Sequence, residues 1–186
     1  MVFEYILKQN GITPSDVNIV QNIDFGSTAA AFSGGQGDFT VEFEPHATLL
    51  EQQGDGYVVA SLGEASGYVP YTAYCVRKSY LNDHQTIIQG FTNAIQKGLD
   101  YVNSHSAEEI AHVISPQFTD TDEKTIATIV DRYKQQNTWN DNTIFRQESF
   151  DLLQDILMDA NELEERVPYE DLIITRFSEN AISNPD

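Results

Sequence analysis

The apolar positions of this chain change their period near Ser79. Before that point they come in short runs separated by turn residues. Val17–Gln21 is rich in β-branched residues, and Phe39–Phe43 alternates Phe, Val and Phe with Thr and Glu, the period-two signature of a strand. Gly56–Leu62 (GYVVASL) follows the turn residues Gly54-Asp55-Gly56. Val69–Val76 resumes the pattern, with Pro70 near its start, where a strand tolerates proline. Helical stretches lie between these runs. The first is Val2–Asn10, ended by Gly11 at the C′ position; a second, made of small residues, starts near Ser27; a third follows Glu44–Pro45. Strand, helix, strand, helix at this spacing predicts βαβ units and a parallel sheet.

Beyond Ser79 the spacing turns helical. Ile87, Ile88, Phe91, Ile95, Leu99 and Val102 predict one long helix over Asp83–Asn103. Ser106-Ala107-Glu108-Glu109 has the form of a capping box that opens a helix running to Ile114. Asp122–Tyr133 and Gln147–Asn161 are further amphipathic candidates, and Val167-Pro168-Tyr169 is a turn before a last short helix within Glu170–Ala181. The glycines and serine of Gly63–Gly67 suit a connector that changes direction. The pattern therefore divides the chain into βα units over 1–66 and a mainly helical part over 67–186.

Charge narrows the classes of partner. The net charge of −19 argues against nucleic acid, whose binders carry a basic stripe, and against electrostatic docking on anionic lipid. The single cysteine, Cys75, excludes a disulfide within the chain and a cysteine-based zinc site. Its place in the apolar run Tyr71–Val76 predicts a buried, inert thiol. Met1–Leu7 lacks the basic and long apolar parts of an export signal, and no run approaches the roughly 20 apolar residues of a membrane span. The chain opens abruptly in a helix that leads towards a parallel strand, from which we expect the front of the domain to be absent.

Ligands of open parallel sheets sit off the C-terminal ends of the strands. Two segments place small and polar groups at that edge: Asp24-Phe25-Gly26-Ser27-Thr28 and Phe43-Glu44-Pro45. Ser27 is expected to cap its helix, and the free N–H groups beside it to attract a carboxylate, sulfonate or nitrate. An ordinary capped helix accounts for the same residues. Glu44 is either an acceptor for an amine or aminopyrimidine or an exposed glutamate ahead of a helix. Gly34-Gly35-Gln36-Gly37 follows a helix and leads into a strand, the reverse of a dinucleotide loop, so it reads as a helix end and turn. His105, Glu109 and His112 share a helix face without the HExxH signature and read as a solvated polar face; no metal site is predicted. Tyr5, Tyr57, Tyr68, Tyr71 and Tyr74 read mostly as core or sheet residues, with Tyr68 and Tyr71 able to close over a flat ligand at the junction. Trp139 reads as the anchor of a polar loop. No Ser–His–Asp set is readable, and no cofactor is predicted.

The run NIDFGSTAAAF, then GGQGDF, then FEPHATLLE resembles the nitrate/sulfonate/taurine-type solute-binding proteins of ABC importers, a group that includes binders of thiamine-pyrimidine precursors. GYVVASLGEASGYVPYTAYCVRKSYL, FTNAIQKGLDYV and SAEEIAHVI extend the resemblance over nearly the whole chain. No one of these pieces is as specific as a nucleotide-binding loop; their order carries the likeness. The resemblance implies a two-lobed, periplasmic-binding-protein-like α/β fold of type II that closes on a small anionic or aromatic solute and docks on permease subunits. It implies the end of lobe two to about Leu62, a hinge crossing at Gly63–Val69 and the rear of lobe one. It places ligand contacts at Asp24, Phe25, Gly26, Ser27, Thr28, Glu44, Tyr71 and Thr72. It implies an extracytoplasmic setting, with membrane association only through an absent N-terminal anchor, and a cytoplasmic one if Met1 is the true start. Pyrimidine-precursor synthases of thiamine biosynthesis are similar in fold and supply the alternative, an enzyme. Their cysteine-rich motif is not matched, and Lys8, Lys78 and Lys97 lie away from the expected cleft. Parallel strands without neighbours predict a chain that is marginal, self-associating or weak in ligand binding on its own.

Overall fold

A computed structural model describes residues 1–184, so the last two residues of the rear part lie outside the described residues. The helices are α1 (Val2–Gln9), α2 (Thr28–Ser33), α3 (His46–Gln53), α4 (Leu62–Ser66), α5 (Lys78–Asp83), α6 (Gln85–Ser104), α7 (Ala107–Ile114), α8 (Glu123–Gln135), α9 (Gln147–Asp159), α10 (Tyr169–Leu172) and α11 (Arg176–Ser183). A 3-10 turn, Phe25–Ser27, leads into α2.

The rear helices follow the apolar periodicity closely. The capping box is complete: Ser106 Oγ accepts the Glu109 N–H, and Glu109 Oε2 accepts the Ser106 N–H. Asp122 closes the start of α8 by accepting both the N–H and the hydroxyl of Thr125. With both ends set, α7 and α8 pack Ala107, Ile110 and Ala111 against Ile126 and Val130, and Tyr101, Val102 and Trp139 close the sides. Lys134 Nζ donates to the carbonyls of Val102 and His105, so it satisfies acceptors at the C-terminal end of α6. Phe150 and Ile156 of α9 and Phe177 and Ala181 of α11 are also buried, and α11 packs against α6. Trp139 is half-buried and edge-on to Tyr133, the anchoring role its isolation suggested.

The front part departs from the expected parallel sheet. α1, α2 and α3 form where the pattern put them, and Gly34, Gly35 and Gly37 make the helix end and turn. The runs Val17–Gln21, Phe39–Phe43, Gly56–Leu62 and Val69–Val76 do not pair. Among the described residues there is no strand, and no backbone hydrogen bond joins one of these runs to another. A helix closes its hydrogen bonds within its own segment, whereas a strand needs a neighbour in register. These runs have the composition of strands and no adjacent partner. Gly56 runs close over α2, where a Cβ would lie 2.9 Å from the Phe32 ring.

Three further expectations are corrected. Gly63–Gly67 is largely helix α4, opened by Ser61 Oγ accepting the Glu64 N–H, and the change of direction falls on Gly67 at φ +79°. Cys75 is exposed, because the run that would have buried it is uncovered. Tyr57, Tyr68, Tyr71 and Tyr74 are exposed for the same reason and belong to neither core nor sheet.

Candidate functional site

The Asp24–Thr28 segment is a compact turn. Asp24 Oδ1 accepts the Gly26 N–H at 3.0 Å and its carbonyl accepts the Ser27 N–H at 2.8 Å. Thr28 Oγ1 donates to the Phe25 carbonyl at 2.9 Å. Asp24 caps the 3-10 turn, whereas Ser27, expected to cap α2, makes no side-chain cap bond. The consequence is electrostatic. A carboxylate stands where the site was expected to receive an anion, and two backbone donors are already engaged. What the turn presents outward is the Phe25 ring.

That ring meets the second candidate segment. Phe25 and Phe43 lie edge-on with centroids 5.2 Å apart, and Phe43 lies 5.2 Å from Tyr71 at a tilt of 51°. Three segments distant in sequence thus meet in one aromatic chain. Phe25 is 54 % exposed, Phe43 43 % and Tyr71 80 %, so the rings form an open face and not a closed cavity. Thr72 sits beside Tyr71 and is exposed. The hollows of about 330 Å³ between α6 and α11 and about 100 Å³ beside Trp139 are lined by other residues.

Glu44, next to Phe43, is not the free acceptor expected of it. Its side chain is only 6 % exposed. Oε2 accepts the Thr48 N–H and Oε1 the Thr48 hydroxyl, each at 3.0 Å. Arg132 Nη1, from the last turn of α8, donates to Glu44 Oε1 at 2.6 Å and to Thr48 Oγ1 at 3.1 Å. Arg132 Nη2 donates to Glu51, whose other oxygen accepts the Val58 N–H at 2.9 Å. Burial alone would lower the Arg132 guanidinium; its bonds to Glu51 and Glu44 outweigh this and hold it above its ordinary value. The Val58 N–H holds Glu51 below the ordinary glutamate value against the opposing effect of burial, with help from Arg132. Burial pushes the neighbouring Tyr133 phenol up.

The polar candidates elsewhere have structural partners. His105 Nδ1 lies 2.8 Å from the Tyr101 carbonyl and its ring stacks on Tyr101, Glu109 belongs to the capping box, and His112 faces Glu123. No group of His, Cys, Asp and Glu among the described residues could hold a metal ion.

Sequence reasoning missed Phe43 as a site residue, although it flanks Glu44 in a quoted segment. It also missed Arg132. The available signal was scarcity: with 10 basic residues against 29 acidic ones, a cation on the inward side of an amphipathic helix has a carboxylate to satisfy.

The family model described as NMT1/THI5 like matches residues 1–109. A protein of Bacillus subtilis (strain 168), named as a candidate binding protein, YtlA, is 39% identical over 184 residues. That match covers 98% of this chain and 55% of the relative, so the chain spans about half the length of the curated relative it matches. No solved structure matches the chain.

Proposed function

The chain belongs to the NMT1/THI5-like family, and from that premise we propose that it serves a solute-binding protein of an ABC importer by forming one wall of the ligand cleft. The family has a periplasmic-binding-protein-like fold. The observation that carries the reading is the aromatic chain Phe25–Phe43–Tyr71, which joins three sequence-distant segments and leaves its rings open to solvent. Open aromatic faces take flat, π-rich ligands. The Asp24 carboxylate beside them and the engaged Gly26 and Ser27 N–H groups weigh against nitrate, taurine or a simple sulfonate. A neutral or weakly basic heteroaromatic solute of the aminopyrimidine class fits this face best, with Tyr71 and Phe43 stacking on it and Thr72 at its edge.

The same reading has the open runs 37–43, 56–61 and 69–76 pairing with further strands of a two-lobed protein. Lobe closure over the ligand and docking on permease subunits outside the cytoplasm belong to that whole protein. The relative's name supports binding over catalysis.

A heteronuclear NMR titration of the full chain tests the reading, because it registers weak binding. Aminopyrimidines are expected to shift the signals of Phe25, Phe43, Tyr71 and Thr72 in a saturable manner, while taurine and nitrate leave them in place. Phe43→Ala is expected to weaken the interaction at least tenfold. Saturable shifts confined to the α6–α11 hollow, or preference for taurine, overturn it.

A further inference from the structure

We infer that Arg132 is a positioning residue of the aromatic face: from the helical part of the chain it holds the two carboxylates that fix where Phe43 stands between Phe25 and Tyr71. The inference rests on the proposed role of that face, and it concerns a residue outside the 1–109 range that the family model matches.

One guanidinium spans three elements. Through Nη1 it grips Glu44 and Thr48, so the residue next to Phe43 and the first turn of α3 are held as one piece. Through Nη2 it grips Glu51, which binds the backbone of Val58 in the following open run. Tyr133 packs beside this group, and Gln52 Nε2 adds a bond to Thr125 Oγ1 at 3.1 Å, so α3 meets α8 along its length. Phe43 itself has no strand ladder to hold it. Among the described residues no strand lies beside it, and its ring is held through its covalent link to Glu44 and its contacts with Phe25 and Tyr71. The planar fork of arginine can hold two carboxylates at once, which a lysine ammonium cannot do with the same geometry. Arg132 does not touch a ligand at this face; it acts through Glu44.

The test is made on the ligand-free full chain, so it does not depend on any solute. Phe and Tyr are selectively labelled, and the ring-to-ring NOEs of Phe43 with Phe25 and with Tyr71 are measured in wild type, Arg132→Met, Arg132→Lys and Ile126→Ala. Arg132→Met is expected to weaken both NOE sets at least threefold and to speed exchange of the Val58 amide at least tenfold. Arg132→Lys is expected to recover the Phe43 contacts in part, since it restores a cation beside Glu44. Ile126→Ala removes buried apolar contacts from the same helix and is expected to lower thermal stability while leaving the ring contacts at wild-type strength. Unchanged NOEs in Arg132→Met, or an equal fall in Ile126→Ala, overturn the inference. Should Arg132→Met fail to fold, Arg132→Lys decides: full wild-type NOEs overturn the inference and a partial loss supports it. Failure of the proposed function would appear separately, as wild-type rings in contact that bind no aminopyrimidine.

Discussion

Residues 78 to 184 hold nearly all the buried apolar side chains among the described residues, whereas residues 1 to 77 display most of theirs. Leu50 is the one buried apolar side chain of the front part among the described residues, while Ile110, Ala111, Val130 and Ile156 of the rear are almost wholly enclosed. In the front part Phe39, Tyr57, Val59, Tyr71 and Tyr74 are each more than 70 % exposed. Composition does not account for the contrast, because both parts are rich in large apolar residues. Backbone bonding does. Rear segments are helices, which satisfy their N–H and C=O groups locally and can then pack side by side. Front segments carry strand patterns whose satisfaction depends on a second strand. Two ion-paired links tie the parts together, Arg132 with Glu44 and Glu51 and Lys8 with Asp159, beside the Gln52–Thr125 bond and the Tyr74–Phe91 ring contact. The first link is largely screened from water and hydrogen-bonded through both nitrogens, and the second is open to water and salt.

Amide hydrogen exchange draws the sharpest line between the two parts. Amides in α6, α7 and α8 are expected to exchange about a thousandfold or more slower than those of 37–43 and 69–76, since helix amides open only with the packed unit. Val58 is expected to stand out among residues 56–61 as protected, because its N–H alone in that run reaches a carboxylate, Glu51. Slow exchange throughout the open runs would mean that they pair with something in solution, and the comparison would collapse.

The same contrast explains what could be read from the sequence. α6, α7, α8 and α9 were legible to within a few residues because helical spacing and capping residues are local signals. The strand runs were legible as strand-like composition, but pairing is not a local property, and no sheet follows from them here. At the candidate site, Phe25 and Tyr71 were placed with the Glu44 segment by resemblance, and Phe43 brings the two together. Glu44 was misjudged because its partner lies 88 positions away on α8. Ser27 makes no cap bond because it lies inside a 3-10 turn that leads into α2, and Asp24 caps that turn instead.

Truncation in the rear core sets the next scale. Ile110→Ala leaves a cavity in the α7–α8 packing and is expected to destabilise by about 3 kcal/mol, within the range for enclosed isoleucines. Chemical denaturation measures it through a lower midpoint with an unchanged slope. A cost below about 1 kcal/mol would show the rear core to be no better packed than the front.

Acidification separates the parts by a smaller amount. Glu51 is held below its ordinary value of 4.5, first by the Val58 N–H and then by Arg132 against the effect of burial. The folded state therefore binds this proton less readily than the unfolded state. The stabilisation is complete above about 4.5 and is lost as pH falls through the lowered folded value. Asp122, held down first by the Thr125 hydroxyl, and Glu109, held down first by the Ser106 N–H, have the same sign. Unfolding curves between pH 6 and pH 3 are expected to show declining stability, and Glu51→Gln to flatten part of that decline. Because Glu51 and not the caps accepts the Val58 N–H, Glu51→Ala, which removes that acceptor, is expected to release Val58 protection at neutral pH. Retained protection of Val58 in Glu51→Ala would assign that amide to another partner. Ser106→Ala, which opens the capping box of α7, is expected to cost about 1 kcal/mol with no effect on Val58.

The smallest expected effect is the most discriminating. Tyr57 is 87 % exposed in a run with the composition of a strand. In the chain as it stands its ring has little to lose, so Tyr57→Ser is expected to change stability by less than about 0.5 kcal/mol, the usual span for a surface substitution. An ordinary aromatic strand residue with a covered face would cost several times more. Comparing thermal unfolding of wild type and Tyr57→Ser at several protein concentrations distinguishes the cases. A near-zero change that holds at every concentration leaves the ring uncovered in solution. A loss above about 1 kcal/mol that grows with concentration means that the front face is covered by another copy, because only an intermolecular contact is strengthened by mass action. The net charge of −19 favours the first outcome at low salt, where like-charged chains repel, and added salt should narrow the difference.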